Sequence, residues 1–211
     1  MATAIAEPTQ VRLLDAAERL VGERGVDGVS LRAINAEAES NVAAAHYHFG
    51  SKEALVRAVL ARRMTVLAEE RFRQLDALDH ARAPVPRDVA AVFVRPLFDL
   101  AADPAGARYV RFLAALYRAE GDWLPVLDAA FAPQWARIEP VLARAVPHVD
   151  ATRRGIRLSL ASETMLRMLA DPDRNAGALD TDAYRDEVID VFTSIVTGPS
   201  RTQPSALQEA P

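Results

Sequence analysis

Apolar residues recur along this chain with the 3.6-residue period of an α-helix almost throughout. Between Thr9 and Glu23, Leu13, Ala17, Leu20 and Val21 fall on one face while Arg12, Asp15 and Arg19 fall on the other. Tyr109, Phe112, Leu113, Leu116 and Tyr117 form a second stripe, and Tyr184, Val188, Phe192, Ile195 and Val196 a third. No alternating run of β-branched residues competes with these patterns, so the predicted fold is all-α.

Start and stop signals divide the pattern into about nine helices. Pro8 with Thr9 opens the first and Gly25 closes it. The predicted spans are 9–24, 30–38, 42–48, 52–79, 87–102, 106–119, 122–145, 151–170 and 181–197. The seventh contains Pro125, Pro133 and Pro140. An interior proline loses a backbone hydrogen bond and clashes with the preceding turn, so this span is expected to kink or split. After Gly198 the Pro- and Ser-rich stretch 198–211 is expected to be a disordered tail. The helices before Ser51 are short and closely spaced, and those after it are longer. This predicts a small module over 1–63 and a larger helical body over 64–197, with the boundary inside the helix that starts at Lys52.

Composition narrows the function. The chain has 211 residues, half of them apolar, which is enough to bury a core. Its formal net charge of −4 is too mild to advertise nucleic acid or membrane globally. There is no cysteine, so disulfides and thiolate chemistry are excluded. No HExxH motif, Gly-rich phosphate loop or nucleophile spacing is present, and neither an enzyme nor a cofactor is expected. No apolar run approaches the ~18–20 residues of a membrane span, and Glu7 and Pro8 interrupt the N-terminus where a signal peptide needs its apolar stretch. A cytoplasmic protein without membrane attachment is the expectation.

The chemistry concentrates in Ser30–Leu55, SLRAINAEAESNVAAAHYHFGSKEAL. Two short helices joined by the turn Glu39–Ser40–Asn41 have the spacing of a helix-turn-helix, whose second helix enters the DNA major groove. On that second helix Val42, Ala45 and Phe49 share an apolar stripe suited to packing. Ala43, His46 and Tyr47 point elsewhere, leaving an imidazole and a phenol beside a small residue that permits close approach to a groove. His46 and His48 lie about 200° apart on a helix, which disfavours a shared metal, and none is expected. Each of these residues alone also fits a plain structural role, Tyr47 as packing on the helical body. Ser51 is a good N-cap, placing Lys52 in the first turn of the next helix. A cation is unfavourable there, so Lys52, the only lysine, is expected to meet an external anion such as phosphate.

This segment resembles the DNA-binding region of TetR-family transcriptional regulators. The likeness is densest at Ser30, Ile34, Ala38, Val42, Tyr47–Gly50 and Lys52–Leu55, and extends to the first helix through Leu14, Ala16, Ala17, Leu20 and Gly25. It covers about residues 9–56, and YHFGSKEAL is its most specific run. The resemblance implies that Tyr47, His48 and Lys52 contact phosphates and that Ser30 and Arg32 contact the DNA backbone. It further implies that Asn41, Val42, Ala43 and His46 approach base edges. A phosphate contact at Lys52 predicts that Lys52→Ala lowers the log–log salt slope by about 1. Glu39 stands where the family usually has glycine; if φ is positive there, the substitution costs roughly 1–2 kcal/mol. Residues 1–63 also hold equal numbers of acidic and basic groups, so a basic face requires the acids to segregate.

In the larger body, Phe72, Phe93, Phe98, Tyr109, Phe112, Tyr117, Trp123, Phe131 and Trp135, with Met165 and Met168, are candidates for core or for a small-molecule pocket. Glu120, Arg137, Glu163 and Arg167 are candidate polar contributors. The resemblance implies an effector pocket, here for an unknown hydrophobic or amphipathic small molecule. It also implies a homodimer through 151–170 and 181–197, with stripes Leu158, Ala161, Met165, Met168 and Val188, Phe192, Ile195. A two-fold dimer presents its recognition helices about 34–36 Å apart and predicts a palindromic double-stranded operator. The reading is a ligand-responsive DNA-binding repressor. The alternative is a helical ligand-binding or interaction protein whose DNA-binding module has decayed.

Overall fold

The computed structural model describes residues 8–79, 84–119, 123–171 and 180–199, and every regular element among them is an α-helix. The order is α1 (Thr9–Arg24), α2 (Leu31–Glu37), α3 (Ala44–Phe49), α4 (Lys52–Asp79), α5 (Pro86–Ala101), α6 (Pro104–Tyr117), α7 (Trp123–Ala145), α8 (Ala151–Ala170) and α9 (Thr181–Thr197). Local chemistry sets most ends. Ser30, Asp103, Asp150 and Asp180 accept backbone N–H groups as N-caps of α2, α6, α8 and α9. Gly25 and Gly50, at φ 75° and 76°, end α1 and α3.

Two expectations are corrected here. The seventh span does not split: it is one continuous helix, with Pro125 in its first turn, where the lost N–H is tolerated, and Pro133 and Pro140 inside. The recognition helix starts two residues later than expected, because 42–43 belong to the turn that leads into it. Of the expected tail, 200–211 lies outside the described residues.

One connected hydrophobic core runs through both expected domains, including Leu20, Ile34, Val59, Phe112, Ile138 and Phe192. The long helix α4 passes straight through the expected boundary. Helix α1 packs extensively along α6. Gly22 permits this: a Cβ there would stand 3.2 Å from the Phe112 nitrogen. Glu18, buried on α1, accepts from Arg62 at 2.6 Å on α4, and Arg62 also reaches Asp15 at 2.5 Å. Burial works against the Arg62 charge, but hydrogen bonds to Glu18 and Asp15 outweigh it and hold its pKa above the ordinary value. The N-terminal headpiece is thus fastened to the body by the packing of α1 on α6, and α4 runs unbroken from one into the other.

Helices α8 and α9 pack on each other and on α6 and α5. Ala161, Met165, Val188 and Phe192 are buried by these contacts within one chain, and Phe192 stacks on Phe93 with centroids 5.2 Å apart. Those expected dimer stripes are therefore mainly intrachain core. The exposed apolar positions on α8 are Ile156 and Leu160, one turn apart.

Candidate nucleic-acid interface and ligand cavity

Helix α3 is only six residues long, too short to hold its shape alone. Its N-cap position is Ala43, which has no side chain to cap with. Asn35, 2% exposed on α2, supplies the missing cap from across the turn: its Oδ1 accepts from the Ala45 N–H at 2.9 Å. Its Nδ2 donates to the Val42 carbonyl at 2.7 Å, so one amide fixes both sides of the entry into α3. Ser40 completes the lock, donating to Asn35 Oδ1 at 3.1 Å. Asn41 Oδ1 accepts from the Ala43 N–H at 3.0 Å, an Asx-turn that shapes the same approach.

This lock aims the side chains. Ala45 is fully buried and Phe49 packs against the core, whereas His46, Tyr47 and His48 are exposed, Tyr47 at 84%. Tyr47 and His48 meet edge to face at 5.2 Å. Val42 does not join the packing stripe as expected. It is 73% exposed, because the turn rather than the helix sets its direction. An apolar residue, an imidazole and a phenol therefore share the outward surface. Ser30 caps α2 at the edge of this surface, accepting from the Ala33 N–H at 3.2 Å, and Arg32 is exposed two residues on.

The acids do segregate in part. Asp15 and Glu18 are held by Arg62 on the α1–α4 side, Glu37 pairs with Arg19, and Glu53 with Arg57. Arg32 has no ion pair among the described residues and is the cation beside α3. Glu39 is the one non-glycine residue with positive φ among them, at 47°, in the position after α2 that favours glycine. Glu39→Gly should raise stability by about 1 kcal/mol, shifting Tm up by about 2–4 °C in a thermal melt.

Lys52 corrects the sequence reading. Its Nζ donates to the Val26 and Val29 carbonyls at 2.8 and 3.0 Å, and the Trp123 ring centroid lies 5.8 Å away. These carbonyls supply inside the protein the negative potential that was expected from DNA. Lys52→Met should therefore cost about 2 kcal/mol in thermal unfolding, as charge-assisted bonds are lost. The salt slope of DNA binding should stay unchanged, rather than falling by about 1.

A cavity of about 550 Å³ opens among α4 to α8. Of the eleven candidates, Phe93, Tyr117, Phe131, Trp135 and Met165 line it. The other six candidates lie elsewhere. Tyr109 and Phe112 are fully buried and stack on each other, with the Tyr109 hydroxyl donating to the Leu60 carbonyl at 3.2 Å. Phe98 meets Tyr184, whose hydroxyl donates to the Met168 carbonyl. Phe72 lies under the Arg137 guanidinium, and Trp123 faces the headpiece. Among the expected polar contributors, Arg137 pairs with Asp76; Glu163 and Arg167 are not on the wall; Glu120 lies outside the described residues.

The polar group that sequence reasoning missed is Arg71. It is 2% exposed, lines the cavity, and donates through Nη1 to Gln134 Oε1 at 2.8 Å. Its Nε has no partner. Gln134 is itself oriented by Met64, whose Sδ lies 3.7 Å from Nε2. Burial lowers the Arg71 pKa to about 10, so the side chain stays charged at neutral pH. Burial likewise pushes the Tyr117 phenol up to about 12, so it is neutral and can donate. The signal was in the sequence: Leu60, Met64, Leu67, Arg71 and Leu75 follow one helical stripe, with Arg71 its one polar member.

Two family models match the chain. One, described as bacterial regulatory proteins of the tetR family, matches residues 13–59. The other, described as the tetracyclin repressor-like C-terminal domain, matches residues 91–198. The chain belongs to the TetR family. It is therefore a DNA-binding transcriptional regulator and not an enzyme.

This TetR-family chain is 36% identical over 72 residues to the HTH-type nicotine-responsive transcriptional repressor HdnoR of Paenarthrobacter nicotinovorans. The match covers 34% of this chain and 37% of that protein's length. Among solved structures its fold is similar to SmeT in complex with triclosan, with TM-score 0.60, 22% identity and coverage of 89% and 91% of the two chains. It is also similar to FadR from Bacillus subtilis in complex with stearoyl-CoA, with TM-score 0.60, 14% identity and coverage of 87% and 97%. As in a TetR-type regulator, an N-terminal helix-turn-helix is joined to a helical C-terminal body. No helix among the described residues is long and apolar enough to cross a membrane.

Proposed function

We propose that the chain is a ligand-responsive repressor that binds a palindromic operator as a homodimer and is released from it by a small amphipathic effector. The observation that carries this reading is the orientation of α3: Ala45 and Phe49 grip the headpiece while Val42, His46 and Tyr47 face outward. His46 and Val42 meet base edges, with Asn41 and Ala43 close behind, and Tyr47, His48, Ser30 and Arg32 hold phosphates. Dimerisation uses the outer faces of α8 and α9; Leu160 on α8 would otherwise stay in water, and Ile156 one turn before it also borders the cavity.

The route from cavity to headpiece runs through α7. Leu124 lines the cavity, and its neighbour Trp123 donates from Nε1 to Asp27 Oδ1 at 3.3 Å. Lys52 grips the same loop through Val26 and Val29, immediately before the α2 cap Ser30. An effector that binds one arrangement of α7 better shifts the population of headpiece orientations, by no more than its differential affinity for the two. SmeT and FadR, with ligands bound, support a ligand-responsive body of this fold.

Selection of genomic fragments by the full chain, followed by binding at several salt concentrations, tests the reading. The expected product is a two-fold symmetric site with half-sites one helical turn apart. With Arg24 and Arg32 exposed and outside any ion pair among the described residues, one or two phosphates per protomer give a log–log slope of only about −2 to −4 for the dimer. Absence of any enriched site would favour the helical binding protein with a decayed DNA module, a reading that Glu39 beside α3 favours.

A further inference from the structure

Arg71 poses an electrostatic problem that the protein does not solve by itself. A buried charge is costly unless paired, and buried cations ordinarily face a carboxylate. Among the described residues, Arg71 has one acceptor, the neutral Gln134 amide, and one aromatic face, Phe93, 5.5 Å from its guanidinium carbon. It makes no ion pair, and its Nε is left without an acceptor. Asp128 is the one carboxylate on the cavity wall, but it is exposed and makes no bond to Arg71. Removing the charge would be simple, since Leu or Met fits the stripe of Leu67 and Leu75. A guanidinium kept here has its use in what enters the cavity.

The rest of the wall defines the remainder of that molecule. Phe131, Trp135, Ile138 and Met165 make it apolar, with Tyr117 and Ser162 as additional polar points. At roughly 30 Å³ per water-sized atom, about 550 Å³ holds a body of ~12–18 heavy atoms. A planar fork of N–H donors matches a carboxylate better than any neutral acceptor.

We propose that the effector is a monocarboxylate with an apolar chain or ring system, whose carboxylate is bound by Arg71 and whose apolar part fills the space between Phe93 and Trp135. This deepens the ligand-response reading and rests on it for its regulatory meaning. The carboxylate supplies the counter-charge that Arg71 lacks within the chain, so binding completes a pair rather than burying a lone anion.

Calorimetric titration of the full-length protein with decanoate, 1-decanol and decylamine tests this class with matched apolar parts. Decanoate should bind at least tenfold more tightly than decanol, and decylamine most weakly. Arg71→Met should abolish the preference while leaving decanol binding within about threefold, which also shows that the cavity is intact. Arg71→Lys should retain part of the preference, having the charge without the fork. Equal binding of decanoate and decanol, no binding of decanoate, or an undiminished preference in Arg71→Met would overturn the proposal. Operator binding measured with the same probes separates the two readings. Tight decanoate binding without operator release upholds the assignment of ligand class and contradicts ligand response. Release by decanol as effective as by decanoate upholds ligand response and overturns the carboxylate assignment.

Discussion

Replacing Asn35 with alanine is expected to weaken operator binding about 100-fold while leaving the rest of the fold standing. The substitution leaves the Ala45 N–H without its cap and the Val42 carbonyl without its donor, both at the entry to a six-residue helix. The buried Ala45 N–H, left without its cap, costs about 1–3 kcal/mol, and the part-buried Val42 carbonyl loses a hydrogen bond of about 1 kcal/mol. A local destabilisation of roughly 3 kcal/mol follows, more than α3 can bear on its own propensity. If each half-site loses about 1.4 kcal/mol of productive contact, dimer affinity falls about 100-fold. Far-ultraviolet circular dichroism should change little, because the side-chain hydrogen bonds of Asn35 reach only the turn and α3. Operator affinity within threefold of the parent protein would show that α3 does not depend on this amide.

Gly106→Ala is expected to damage the whole body. A Cβ at this position would lie 1.8 Å from the Leu100 carbonyl oxygen, a backbone atom that cannot swing aside. Gly106 also donates its N–H to the capping carboxylate of Asp103 at 3.1 Å, which fixes the first turn of α6 against the end of α5. Relief requires the two helices to part, and both carry cavity wall and core. Overpacking of this severity costs about 3 kcal/mol or more, a fall in Tm of about 6–12 °C for a chain of this size. Differential scanning calorimetry checks it; a melt within 2 °C of the parent would mean that the α5–α6 corner yields more easily than its geometry implies.

The helices were legible because their punctuation is local. Pro8, Gly25, Ser51, Asp150 and Asp180 act on residues within one turn of themselves, and the observed ends fall close to the expected ones. The outward face of α3 was legible for a similar reason, since Ala45, Phe49, His46 and Tyr47 separate by angle alone. What failed needed contacts between segments distant in sequence. Lys52 finds its acceptors 23 and 26 residues upstream, in a loop that local spacing cannot bring near it. Val42 changed direction because α3 begins at Ala44, a boundary set by Asn35 rather than by Val42 itself. The aromatics divided between core and cavity on packing alone: Phe112 and Tyr117 share one stripe, yet only Tyr117 reaches the opening. Arg71 and Asn35 were readable in principle, as polar residues within otherwise apolar stripes, and both mark places where the protein uses a buried polar group for positioning or recognition.

The direct test of the central claim is a base-by-base substitution series across one half of the selected operator, titrated with the parent protein, His46→Ala and Tyr47→Phe. His46→Ala should lose discrimination at one or two adjacent base pairs, by about 1–3 kcal/mol each, with the remaining positions unchanged. Tyr47→Phe should weaken all sequences alike, as loss of a phosphate contact does. A uniform loss with His46→Ala, or full discrimination retained at every base pair, would contradict the placement of α3 in the groove.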